Sequence, residues 1–167
     1  MQPSQISAFR QTSFIVICLC LLLTACAHDF NFYQQRADRI RAHVNAFQIH
    51  LKANHIEAAI FENEEIEATA SEVANAIRKR DQPVASDKVD YEWKLLKTAI
   101  DAAAGNWLAL GRQLTVNKQY DQARASYQRV IDTYTGEAEQ PFRERASRAK
   151  RDIDILNPPI SVSAPKL

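Results

Sequence analysis

From Ala27 to Gln82 the chain has neither glycine nor proline, and apolar residues recur at Ile40, Val44, Phe47 and Leu51, then at Ile66, Ala70, Val73 and Ile77. Spacings of four, three and four trace one face of a helix. The phase breaks between Lys52 and Ile56, where Asn54 and His55 interrupt the stripe. This predicts two antiparallel helices, 31–53 and 56–80, joined tightly, with one long helix as the alternative. Residues 81–87 (DQPVASD) read as a turn, because Pro83 cannot continue a helix and Ser86 or Asp87 can cap the next one. A third helix, 88–103, then carries Trp93, Leu96 and Ile100.

Beyond it the pattern predicts a helix over 105–117, a turn at 117–119, and a helix over 120–134 whose inward stripe is Tyr120, Ala123, Tyr127, Val130 and Tyr134. Gly136 suits the C-terminal cap of that helix, and Pro141 the first turn of a last one, 141–156, with Phe142, Ala146, Ala149 and Ile153 on one face. Residues 157–167 (NPPISVSAPKL) hold three prolines and no apolar period, which predicts a disordered tail. The expected fold class is all-α, built of antiparallel helix pairs, in one domain spanning 26–156.

Trp107-x-x-Leu110-Gly111-x-x-Leu114 followed by Ala123-x-x-x-Tyr127 resembles one tetratricopeptide repeat over residues 107–135. Leu114 stands where an aromatic is usual, Val130 where a small residue is usual, and Thr135 where a closing proline is expected. The resemblance implies that Trp107, Leu110, Gly111, Leu114, Ala123 and Tyr127 pack the two helices together. It also implies that the first helix lines a groove, making Leu108, Arg112 and Thr115 the candidates for partner contact. The last helix would cap the open end of the repeat. Moving the register back by one repeat of about 34 residues places Pro83 in a turn and Trp93 at an aromatic packing position. Residues 31–103 are then either degenerate repeats or a separate helical hairpin.

The first 25 residues have another character. Residues 1–13 are polar with Arg10 as the single cation, and residues 14–25 (FIVICLCLLLTA) are almost wholly apolar. Twelve helical residues span roughly 18 Å, short of the roughly 30 Å hydrocarbon core, so the segment reads as the apolar part of an export signal. Leu23-Thr24-Ala25-Cys26 resembles the lipobox of bacterial lipoproteins. That resemblance implies cleavage before Cys26 and lipidation of its thiol and amino group with diacylglycerol and an acyl chain such as palmitate. At about 0.8 kcal/mol per buried methylene, two or three such chains hold a protein on a bilayer. Ala27 rather than Asp after the cysteine implies the periplasmic face of the outer membrane.

Charge and composition narrow the function. Arg10 is the only charged residue before Cys26, so the chain beyond it is electrically balanced, which argues against nucleic-acid binding. All three cysteines, Cys18, Cys20 and Cys26, lie in or at the end of the leader, leaving none for a disulfide or a cysteine metal site in the folded part. Three glycines leave no room for phosphate-cradling loops, and no G-x-S-x-G, H-E-x-x-H or Walker motif occurs.

His43 and His50 share a helix face, and Glu57 could join them, but two nitrogens without a third ligand make no strong metal site. Glu62, Glu64, Glu65 and Glu67 read as a solvated acidic face. Arg143, Arg145, Arg148, Lys150 and Arg151 form a basic stretch that could meet acidic lipids, the acidic face, or water. The expectation is a lipid-anchored adaptor with an envelope protein as partner, neither enzyme nor metal carrier and without a cofactor beyond its lipid. A helical spacer whose 31–53 helix pairs with a second copy is the alternative.

Overall fold

The computed structural model describes residues 33–80 and 86–158. The leader with Cys26, most of the 81–87 turn, and residues 159–167 lie outside the described residues. The chain divides into two units, Met1–Arg39 and Ile40–Leu167. Of the first, residues 33–39 are described; they are helical, with Gln34 Nε2 donating to Asp38 Oδ1 across one turn at 3.5 Å.

The described residues form five helices and no strand. They are α1 (33–52), α2 (Ile56–Arg78), α3 (Ser86–Val116), α4 (Tyr120–Thr133) and α5 (Gln140–Leu156). Within the second unit α2 packs on α3, α3 on α4, and α5 on both α4 and α3. The core follows the apolar periodicity: Ile40, Phe47 and Leu51 of α1 and Ile66, Ala70 and Val73 of α2 are buried, while Val44 and Ile77 are half-buried. On α4 and its end, Ala123, Tyr127, Val130 and Tyr134 are buried and Tyr120 is half-buried. On α5, Ala146 and Ile153 are buried, with Phe142 and Ala149 half-buried.

Two tight reversals make the hairpins, and they share one geometry. After α1, Asn54 has φ 58°, its N–H donates to the Leu51 carbonyl at 3.1 Å, and the His55 N–H reaches the His50 carbonyl at 2.9 Å. After α3, Lys118 has φ 60°, its N–H donates to the Thr115 carbonyl at 3.0 Å, and the Gln119 N–H reaches the Leu114 carbonyl at 2.8 Å. Both are Schellman caps in which a left-handed residue lets the chain turn back while closing the last carbonyls. Asn117 Nδ2 donates to Asn54 Oδ1 at 2.7 Å, so the two reversals stand side by side at one end of the unit.

Three sequence expectations are corrected. The helices expected over 88–103 and 105–117 are one continuous 31-residue helix. Gly105 does not break it, because it keeps a helical backbone with negative φ and stands between Ala102-Ala103-Ala104 and Asn106-Trp107-Leu108, with no proline or cap to stop the hydrogen-bond ladder. The register of a second repeat, which needs a turn there, is lost with it. Trp93, expected at a packing position, is 55% exposed, since the inward stripe of α3 runs one residue out of phase through Leu95, Leu96, Ala99 and Ala103. Gly136 does not form a left-handed cap, as no glycine has positive φ. Arg143 instead reaches back from α5 and donates to the carbonyls of Tyr134 at 2.6 Å and Gly136 at 2.5 Å. A guanidinium can satisfy several exposed carbonyls at a helix end, so a special backbone conformation is unnecessary.

Candidate interaction surfaces

Of the acidic residues expected on a solvated face of α2, Glu64 is exposed, whereas Glu62 and Glu67 are half-buried and bind neighbouring helices. Glu62 Oε2 lies 2.6 Å from His43 Nδ1 of α1. Glu64 and Glu67 both accept from Arg129 of α4, at 3.2 and 2.6 Å. Glu67 also accepts from Trp107 Nε1 of α3 at 2.8 Å and from the Tyr134 hydroxyl at 2.6 Å. One carboxylate thus joins α2, α3 and the end of α4. The Arg129 guanidinium lies 4.5 Å from the centre of the Trp107 ring, adding a cation–π contact to the ion pair.

The protonation of this cluster follows from its surroundings. Burial pushes the Tyr134 hydroxyl far above the ordinary tyrosine range, and the hydrogen bond to Glu67 pushes it further, so it stays a donor. Burial works against the charge of Arg129, but the hydrogen bond and charge of Glu67 outweigh it and raise its pKa. Both carboxylate oxygens of Glu67 have donors: Trp107 and Tyr134 on Oε1, Arg129 on Oε2.

A second polar set crosses the interface of α1, α2 and α3. Asn63, fully buried, donates from Nδ2 to the Ala103 carbonyl at 3.1 Å and accepts from Asn106 Nδ2 at 2.9 Å. Gln48 Nε2 of α1 donates to Asn106 Oδ1 at 3.4 Å. Sequence reasoning missed both sets, although Asn63 lies in phase with Ile66, Ala70 and Val73, and Asn106 with Ala103 and Leu110. A polar residue inside an apolar stripe is the signal that could have found them, because burial forces it to seek a partner.

Trp107, Leu110, Gly111, Leu114, Ala123 and Tyr127 come together between α3 and α4, and all six are buried. A Cβ on Gly111 would stand 2.7 Å from the Tyr127 ring, so here the backbone itself is the packing surface. Ser126, which the motif does not include, donates to the Trp107 carbonyl at 2.7 Å and ties the same two helices. Burial raises the Tyr127 pKa, opposed in part by the positive charge of Arg112.

The three residues expected on an open face of α3 are separated by burial. Leu108 is buried, and so is corrected from a contact residue to part of the packing. Thr115 is half-buried and donates to the Gly111 carbonyl of its own helix at 2.8 Å. Arg112 is exposed. The reason is α5, which lies across this side of α3 and leaves only a cleft of about 280 Å³ beside Leu108, Arg112 and Phe142.

On another side of α3 a larger groove of about 340 Å³ lies open. Its apolar lining is Leu96, Ile100 and Ala103 of α3 with Ala70 and Ala74 of α2; Glu67, Tyr134 and Glu139 supply polar groups. His43 and His50 do not converge on one site: His43 meets Glu62, and the His50 ring lies 6.0 Å from that of His55. Among the described residues no group of three or more His, Cys, Asp or Glu could hold a metal ion. Nor is any helix among them long and apolar enough to cross a membrane. Compared with protein-family models, curated proteins and solved structures, this chain matches none.

Proposed function

We propose that this protein is a lipid-anchored adaptor on the periplasmic face of the bacterial outer membrane, which holds a protein partner of an envelope assembly and acts by binding rather than turnover. The Leu23-Thr24-Ala25-Cys26 lipobox supports the anchor, and the tetratricopeptide-like run from Trp107 to Tyr127 supports protein binding. The observation that carries the reading is the open groove of about 340 Å³ on α3, because stacked helical hairpins bind extended partner segments along such concave surfaces. Neither a metal nor a cofactor other than the covalent lipid enters this reading. Self-pairing through α1 is less favoured, since its stripe of Ile40, Phe47 and Leu51 is already covered within the second unit.

Two experiments in cells test it. Labelled palmitate should be incorporated by the native chain and not by Cys26→Ser, which should also leave the membrane fraction. A photoreactive amino acid at Ser71, on the groove wall, should give a protein adduct that the same group at exposed Lys79 does not. Palmitate-free protein sinks the anchor; identical adduct patterns from the two positions sink the groove.

A further inference from the structure

The cleft between α3 and α5 has features that packing alone does not require. Gly105 sits in the middle of α3, where glycine is a poor helix former, yet its backbone is ordinary helix and a Cβ built on it would meet nothing within 4 Å. Neither conformation nor close approach calls for glycine there; its effect is to keep the cleft open. Leu108 and Phe142 supply apolar lining, and the cleft measures about 280 Å³. At its rim stand Arg112 and Arg145, both exposed and without a hydrogen bond or ion pair among the described residues. Arg124, Arg129 and Arg143 are each engaged by carboxylates or carbonyls. Asp152, which acts on Tyr127, is a nearby acid; two guanidiniums against it leave the rim cationic.

From this we infer that the α3–α5 cleft receives a segment of the protein partner in which a carboxylate side chain follows an apolar one. The apolar group fills the space above Gly105 against Leu108 and Phe142, while the carboxylate meets Arg112 and Arg145. The inference rests on the adaptor reading and adds to it the chemistry of the bound segment. Charge complementarity selects the acidic neighbour, because a guanidinium fork pairs a carboxylate with two parallel hydrogen bonds. The apolar lining selects a peptide over a free anion, since an anion alone would leave it uncovered.

The test uses the full chain in a neutral detergent and three fluorescein-labelled Gly-Ser peptides, identical except for a central Phe-Glu, Phe-Gln or Phe-Lys pair. The Phe-Glu peptide should bind about tenfold more tightly than Phe-Gln, a difference of about 1.4 kcal/mol, with Phe-Lys weakest. The preference should vanish in the Arg112→Gln/Arg145→Gln double variant, whose exposed positions leave the fold intact. Gly105→Leu, which fills the cleft, should abolish binding of all three peptides without lowering the unfolding temperature.

Equal affinity for the three peptides overturns the inference, as does binding that survives Gly105→Leu. So does Arg-dependent binding to phosphatidylglycerol vesicles without any peptide preference, which would make the rim a lipid contact. A photoreactive group at Ala109, which lines the cleft, separates the two proposals. Adducts from Ser71 without any from Ala109 leave the adaptor standing and remove the cleft, whereas no adduct from either position removes the adaptor itself.

Discussion

Between α3 and the α1–α2 hairpin the buried contacts include a chain of side-chain amides and a carboxylate with three donor groups, whereas between α3 and α4 the fit is mainly of small residues against rings and aliphatic groups. Asn63 and Asn106 face each other on one side of the long helix, and Gly111 meets Tyr127 on another. The two modes fail differently. A hydrogen-bonded interface penalises any slip in register, because each displaced group is left buried without a partner. A glycine–ring contact penalises added volume and tolerates the loss of a partner's polarity.

The largest effect should come from removing the one group that joins three elements. Glu67→Ala strands Trp107 Nε1, the Tyr134 hydroxyl and Arg129 together, and should cost about 3 kcal/mol, read as a lower urea midpoint. Next, Asn63→Leu should cost about 2 kcal/mol by leaving Asn106 Nδ2 without its acceptor; adding Asn106→Leu should recover at least half of it. If the double variant is no better than the single one, the amides act through shape rather than through their hydrogen bond.

The two glycines of α3 sharpen the comparison within one helix. Gly111→Ala should destabilise by about 1–2 kcal/mol, because overpacking against Tyr127 exceeds the roughly 1 kcal/mol gained in helix propensity. Gly105→Ala should stabilise by up to about 1 kcal/mol, as nothing opposes the same gain there. Equal shifts in melting temperature would refute the assigned contact. The smallest change belongs to the reversals. Lys118→Gly should stabilise by about 0.5 kcal/mol by relieving a left-handed lysine, while Asn54→Gly should be close to neutral because asparagine tolerates that conformation.

Local periodicity carries information about which face of a segment is buried, and that much was legible. The stripes through Ile40 and Leu51, Ile66 and Val73, and Ala123 and Tyr134 emerge on the inner faces of α1, α2 and α4, and the reversals at Asn54 and Asn117–Gln119 stand where the phase changes. Periodicity carries nothing about which faces meet. A solvated acidic face is all that local spacing predicts for α2, and the partners of Glu67, namely Arg129, Trp107 and Tyr134, lie more than 30 residues away in sequence. Leu108 likewise is buried because α5, distant in sequence, lies across it.

The sequence by itself determined the all-helical class of the described residues, the extent of most helices and the apolar side of each, because those depend on backbone propensity and on the 3.6-residue repeat of nearby side chains. Only the tertiary structure decided that α3 runs unbroken past Gly105, that Glu67 accepts from three side chains of α3 and of α4 with its end, and that clefts remain open along α3 among the described residues. Those are outcomes of non-local packing: whether one glycine ends a helix, or one carboxylate is desolvated, depends on neighbours that arrive from elsewhere in the chain.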